Sequence, residues 1–334
     1  MNELATKSLK KKSFKNFTSK YAIYIVLVVL FFSIGILDSS FLSMGNITNV
    51  LIISSVRIII ALGVGGALIT RGTDLSAGRT VGLTACIAAS LLQKPDYAYK
   101  LFGNLPNMPL IFPILIAIAV GLLIGLINGV VVAYLKVPPF IATLGTMVIV
   151  YGVACIYTNA QPIGGLRNDF TTIASGKMLG IPNLIIIAIV VSLVMWFILN
   201  KTRFGKNIYA IGGNPAAAEV SGVNINTTLI KVYALAGALY GLAGALLAAR
   251  TGGATNNYGL MYELDAIAAA TIGGVSTSGG IGKVSGIITG VLIFEVLNNG
   301  MVILGVSAYW QQVIKGIIII AAVAFDIRKY LAKK

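Results

Sequence analysis

Apolar residues run through this chain in stretches of bilayer length. The segments 21–37, 47–70, 75–93, 110–135, 140–158, 183–200, 229–249, 262–276, 284–305 and 310–327 are each dominated by aliphatic, aromatic, Ala and Gly residues. About 20 helical residues cross a hydrocarbon core of about 30 Å, and only helices or closed barrels satisfy every backbone group there. Soluble domains carry about 25% charged residues; this chain of 334 carries 10%, with 57% hydrophobic. The expected fold class is all-α, a polytopic membrane protein of about ten transmembrane helices. Its expected parts are a basic cytoplasmic N-terminus (1–20), a transmembrane domain (21–327) containing a long cytoplasmic loop (201–228), and a short cytoplasmic C-terminus (328–334). The lysines before residue 21 also read as the basic region of a signal peptide. No small-residue cleavage site follows, so a first membrane helix is the preferred reading.

An even number of spans puts both termini on one side, and cation counting decides which side. Of 25 Lys and Arg residues, the stretches on one side hold Lys94, Lys100, Arg167, Lys177 and Arg250. Arg57 and Lys315 fall within spans. The other 18 lie on the side of the termini, which makes the topology N-in, C-in. The net charge of +15 then faces the cytoplasm and anionic lipid, and nucleic acid is not an expected partner.

The chain has no histidine and 2 cysteines, Cys86 and Cys155. That excludes a Ser-His-Asp triad, a histidine proton relay, a four-thiolate metal site and a disulfide framework. No cofactor or metal is expected. The nearest approach to a nucleotide cradle is Thr277-Ser-Gly-Gly-Ile-Gly-Lys-Val284, with Thr277 and Val284 where the leading glycine and the hydroxyl belong. An enzyme is not expected, and if ATP drives this protein another chain must bind it.

Glycine recurs inside the spans at four-residue spacing: Gly121, Gly125 and Gly129; Gly237 and Gly241, with Gly244 close by; and Gly282, Gly286 and Gly290. Small residues on one helix face let backbones approach closely, in a moving interface or a static bundle. Asn46 is the expected cap of the second span. Two segments read as broken or re-entrant helices, because Thr73-Asp74 and Glu263-Leu-Asp265 place carboxylates where a helix begins. These acids either cap the helices or line an aqueous path through irregular backbone. The two openings start spans of opposite direction, one in each half of the chain, as in an inverted repeat.

The loop 201–228 holds the strongest local signal. Gly212 and Gly213 precede Asn214, a good N-cap; Pro215 suits the first helical position; Ala216, Ala217 and Ala218 are strong helix formers; and Gly222 is a stop. A helix of about two turns is expected, with Ala216, Ala217 and Val220 on one face. It reads as a docking helix for a partner's groove, or as a connector on the membrane surface. Intramembrane charges are costly unless paired or wet: Arg57 is expected to snorkel and Lys315 to pair with Glu295.

Several stretches in order resemble one family. They are Gly72-Thr-Asp-Leu-Ser-Ala-Gly-Arg79, Asn128-Gly, Pro139-Phe-Ile-Ala-Thr-Leu-Gly-Thr146, Lys201-Thr-Arg-Phe-Gly-Lys-Asn207, Ala210-Ile-Gly-Gly-Asn-Pro215, Ser221-Gly-Val-Asn224, Tyr262-Glu-Leu-Asp-Ala-Ile-Ala268 and Gly273-Gly-Val-Ser-Thr-Ser-Gly-Gly280. From about residue 20 onward the chain resembles the permease subunit of bacterial sugar ABC importers of the ribose/xylose/galactose type. The resemblance implies a multi-pass protein of the bacterial inner membrane and a permease homodimer. It implies a cytoplasmic ATP-binding subunit as partner, which uses ATP as its own cofactor, and an external sugar-binding protein. The cargo it implies is a monosaccharide: galactose, methyl-galactoside or glucose. It casts Gly212, Gly213, Asn214, Pro215, Ala216, Ala217, Glu219, Val220 and Gly222 as the coupling segment. A neutral sugar needs hydrogen bonds rather than charge, which makes Asn128, Thr143, Asn298 and Asn299 candidate path residues beside the acids of the two openings, Asp74, Glu263 and Asp265. Interhelical bonding is their other reading, and an ion-gradient-driven transporter or channel is the rival function.

Overall fold

The computed structural model describes residues 23–103 and 105–331. The basic N-terminal stretch and the last three residues, on which part of the charge argument rests, lie outside them. The fold is all-α, with one two-stranded hairpin, β1 (Lys177–Met178) and β2 (Ile181–Pro182). The helices in order are α1 (Ile23–Leu37), α2 (Met44–Ile69), α3 (Ala77–Leu91), α4 (Ile111–Ala133), α5 (Pro139–Thr158), α6 (Asn168–Ser175), α7 (Asn183–Lys201), α8 (Arg203–Gly213), α9 (Pro215–Val220), α10 (Ile225–Thr251), α11 (Tyr262–Ile272), α12 (Val284–Ile303) and α13 (Ala308–Leu331).

Seven of these, α2, α4, α5, α7, α10, α12 and α13, are long and apolar enough to cross a membrane. α3, with 15 residues, and α11, with 11, rise about 22 Å and 16 Å at 1.5 Å per residue, short of a full crossing. These are the two segments expected to be broken. The apolar run continues to 276, but the helix stops at Ile272 because Gly273 and Gly274 turn the chain, Gly274 at φ +84°.

Local chemistry sets the other boundaries. Ser43, not Asn46, caps α2: its hydroxyl accepts the Asn46 N–H at 3.3 Å. Pro139 opens α5 at its first position, and α5 ends on Asn159 at φ +49°. Asn224 caps α10 through the Thr227 N–H at 2.9 Å, and Gly252 ends it at φ +69°.

Two helices form the centre. The apolar windows of α2 and α10 are 83% and 78% buried, against 17% for α5 and 22% for α7. α2 and α10 pack on each other, and each carries a short helix contributed by the other half: α3 packs on α10, and α11 on α2. α4 then covers α3 and α10, and α12 covers α11 and α2. The glycine stripes mark the tightest of these seams. A Cβ at Gly237 would lie 2.1 Å from the Gly121 carbonyl oxygen, so α4 and α10 meet backbone to backbone.

Hydrogen bonds sort the connections into two ends. At one end Ile69, Arg71, Gly212, Gly213, Gly280 and Asp326 lie together, and Lys136 reaches Asn226. At the other, Gln93 pairs with Leu166 and Ile163 with Ala254.

Candidate functional site

Three constellations hold the expected functional residues. The first is the corner between α8 and α9. Asn214 is extended (φ −154°) and its side chain accepts the Ala217 N–H at 3.2 Å, with Pro215 in the first turn. The helix stops after Val220, and Gly222 takes φ +83°. The expected caps are therefore in place. Ala218 is buried under the helix, whereas Ala216, Ala217, Glu219 and Val220 are exposed, Val220 at 91%. The six-residue helix thus leaves Ala216, Ala217 and Val220 in the open. Gly212 is buried and Gly213 exposed, and both carbonyls accept hydrogen bonds from the Arg71 guanidinium.

The second is the turn before α3, where Asp74, Asn128 and Thr143 come together, all fully buried. Thr146 Oγ1 donates to Asn128 Oδ1 (2.6 Å), Asn128 Nδ2 to Ser76 Oγ (2.9 Å) and Ser76 Oγ to Asp74 Oδ1 (2.6 Å). Every donor points toward the carboxylate, so each bond polarises the next. The Ser76 N–H adds a further bond to Asp74 at 3.0 Å, which makes Asp74 the acceptor of a turn rather than the N-cap; the residue at that position is Ser76. Thr143 accepts the Leu75 N–H at 3.1 Å and donates to the Pro139 carbonyl at 2.8 Å. In this conformation these groups tie α3, α4 and α5 together. The Tyr240 hydroxyl of α10 faces Asp74, yet neither it nor Asp74 Oδ2 forms a well-shaped hydrogen bond.

The third surrounds the start of α11. Arg57, midway along α2, bonds Asp265 at 2.6 Å and lies 3.7 Å from Glu295, with its guanidinium 3.8 Å from the centre of the Tyr262 ring. Lys315 of α13 lies 3.7 Å from Asp265. Two expectations are corrected here. Arg57 does not snorkel, because two carboxylates and a ring hold it in place. Lys315 pairs with Asp265 rather than Glu295, because Asp265 projects from the first turn of α11 between α2 and α13. Glu263 lies in the same first turn but belongs elsewhere: its Oε2 would be 2.1 Å from a Cβ on Gly78. A side chain there would also meet the Gly259 carbonyl at 2.1 Å. Only glycine lets the approach to α11 touch the first turn of α3, so the two short helices meet near their N-termini.

Asn299, half-buried, accepts from Asn46 Nδ2 at 2.9 Å, and Asn298 is half-buried on α12 beside it. The seven expected path residues thus fall into separate groups rather than one line. The sequence reading missed Ser76, Thr146, Tyr262 and Arg71. Ser76 and Arg71 adjoin the conspicuous Gly72-Thr-Asp-Leu stretch, the signal that could have found them.

The family model described as the branched-chain amino acid transport system / permease component matches residues 46–323. The chain belongs to this family. A galactose/methyl galactoside import permease of Escherichia coli is 54% identical, the match covering 98% of this chain and 99% of that one. The Haemophilus influenzae protein of the same description is 51% identical, over 97% and 98%. A ribose import permease of Bacillus subtilis is 39% identical, over 96% of each. No solved structure matches. Membership of this permease family agrees with a bundle of apolar helices.

Proposed function

We propose that this chain is the membrane-spanning permease subunit of an ATP-driven importer, passing a monosaccharide from an external binding protein to the cytoplasm of a bacterium. The family description names an amino acid system, whereas the relatives matched over nearly their whole length are sugar permeases. Identity above one half along the full chain is the better guide to cargo and favours galactose or methyl-galactoside, with glucose the third candidate read from the sequence. The observation that carries the transporter mechanism is the capped, outward-facing α9. Its exposed Ala216, Ala217 and Val220 suit the groove of a cytoplasmic ATPase subunit, with Glu219 at the rim. On this reading the α9 end is cytoplasmic, the chain spans the membrane ten times with both termini inside, and two copies enclose the path. The exchange of α3 and α11 between halves supports the inverted repeat.

ATP binding would close the ATPase pair, move α9 and open the permease to the loaded binding protein. Little selectivity is needed in the permease, since hydrogen-bonding groups such as Asn298 and Asn299 suffice for a neutral sugar. The rival, uptake driven by an ion gradient, would use intramembrane carboxylates such as Asp74, Asp265 and Glu295, of which Asp74 accepts two bonds from Ser76. Asp265 and Glu295 are instead engaged by Arg57 and Lys315, which favours a structural role for them. Reconstitution into vesicles with candidate ATPase and binding-protein chains, using labelled galactose, glucose and ribose, tests the proposal. Uptake should require ATP and both partners. Uptake without them that an uncoupler abolishes would refute it.

A further inference from the structure

Three backbones and one side chain knot together directly beneath α9. The last carbonyls of a helix lack internal partners and carry its negative dipole end. At the end of α8 the guanidinium of Arg71 supplies the partners: Nε donates to the Gly212 carbonyl at 2.7 Å and Nη2 to the Gly213 carbonyl at 2.6 Å. Asn214, the cap of α9, is the next residue. Arg71 itself sits two residues beyond α2 in the left-handed region, at φ +64°, a conformation a non-glycine residue holds only when its surroundings enforce it. Beside it, the Gly280 N–H donates to the Ile69 carbonyl at 2.9 Å. A Cβ on Gly212 would sit 1.8 Å from that same carbonyl oxygen, so the α8 end, the α2 end and the 276–283 turn leave no slack between them. The turn is fastened in turn to α13: Thr277 N, Thr277 Oγ1 and Ser276 Oγ donate to Asp326 at 2.9, 2.9 and 3.1 Å.

Two long helices leave this knot and converge on one carboxylate. Arg57 lies about 21 Å back along α2 from Arg71, at 1.5 Å per residue, and bonds Asp265. Lys315 lies about 16 Å back along α13 from Asp326 by the same rise, and reaches Asp265 too. The α8–α9 corner is therefore joined through α2 and through α13 to the N-terminus of the short helix α11.

We propose that Arg71 is a positioning residue for energy coupling: it ties the α8–α9 corner to α2, so that a displacement of α9 reaches the Arg57–Asp265 contact. This rests on the reading of α9 as the ATPase-docking helix. Physical continuity does not by itself establish coupling, and the test measures it. The permease is reconstituted in vesicles with its ATPase and binding protein, and three quantities are read: co-purification of the ATPase, ATP hydrolysis, and sugar taken up per ATP hydrolysed. The variants are Arg71→Gln, Arg71→Gly and Arg71→Lys, with Glu219→Lys as the docking control. Arg71→Gly fits the left-handed backbone and so keeps the fold if the glutamine variant does not. Expected for Gln and Gly are ATPase co-purification and hydrolysis near the parent level, with sugar per ATP reduced about tenfold, inside the range of measured coupling effects. Lys, a point charge without the planar fork, should restore part of the ratio. An unchanged ratio in Arg71→Gly and Arg71→Gln overturns the proposal. So does loss of ATPase co-purification in all three Arg71 variants, which would make Arg71 a builder of the docking surface. If Glu219→Lys retains ATPase co-purification, the docking reading fails and the coupling role with it. If Glu219→Lys loses co-purification while Arg71→Gln transports at full ratio, only the role of Arg71 is overturned.

Discussion

Arg57 and Asp265 stand 208 positions apart in the sequence and 2.6 Å apart in space, each from the interior of a different half of the chain. Their side chains are 18% and 11% exposed. Removing one partner of such a pair strands the other in a low-dielectric site. Arg57→Ala should cost about 3 kcal/mol, the lower end of the range for buried pairs, because Lys315 still reaches Asp265. Asp265→Asn should cost a similar amount, and the double variant should lose less than the sum by about 1 kcal/mol or more. Thermal unfolding of the detergent-solubilised permease checks this; strictly additive losses would mean the pair contributes nothing jointly.

Replacing glycine by alanine should act with opposite sign at two places. At Gly237 the new methyl would sit 2.1 Å from the Gly121 carbonyl oxygen, a backbone that cannot step aside, so a loss of about 1–3 kcal/mol is expected from overpacking. At Gly152, inside α5, nothing lies within 4 Å of the new carbon, and alanine should gain about 0.5–1 kcal/mol of helix stability. Melting temperatures of the two variants measured side by side decide it, and a stabilising Gly237→Ala would refute the close α4–α10 packing.

The chain of bonds from Thr146 to Asp74 gives a graded series. Ser76→Ala removes the link that serves both Asn128 and Asp74 and should cost about 1–3 kcal/mol, as expected when buried groups are left unsatisfied. Thr146→Val removes only the outermost donor and should cost about 1 kcal/mol. Chemical denaturation of the two proteins would show the order, and a reversed order would count against a chain that terminates at Asp74.

Arg167 and Asp169 form an ion pair in the connection between α5 and α7. The hydrogen bond from the Arg167 guanidinium holds the Asp169 carboxyl below its usual range. A carboxyl whose folded-state pKa is depressed stabilises the fold above its ordinary pKa, near 3.9, and that contribution disappears as pH falls through the lower, folded value. Hydrogen exchange in residues 166–175 should therefore be constant from pH 7 to about 5, once corrected for intrinsic rates, and lose protection toward pH 3. Asp169→Asn should already be less protected at pH 7 and should lack the acid step. A variant with the same acid step as the parent would assign it to another group.

Much of the fold was legible because it is written locally. Apolar length marks the spans, Asn214 and Gly222 bracket α9, and small residues every four positions mark the α4–α10 seam. What stayed hidden depends on which helix faces which. Nothing near Lys315 reveals that Asp265 rather than Glu295 is its partner, since that follows from α11 lying between α2 and α13. Nor does apolarity show where α11 stops, because the Gly273–Gly274 turn lies inside an uninterrupted apolar run. The caps of α9 were legible almost residue by residue, whereas the expected path residues divide among separate constellations, with Asp74 and Asn128 both bonded to Ser76.

The arrangement around Asp265 has an electrical consequence. Arg57 and Lys315 bring two cations, Asp265 and Glu295 two carboxylates, and their formal charges cancel. An unbalanced charge carried across a resting potential exchanges about 2.3 kcal/mol per 100 mV with the field, whereas a cluster of zero net charge moving as a body exchanges almost none. Movement of this cluster as a body is therefore nearly invisible to the membrane potential, and its cost is the same in a polarised and a depolarised membrane.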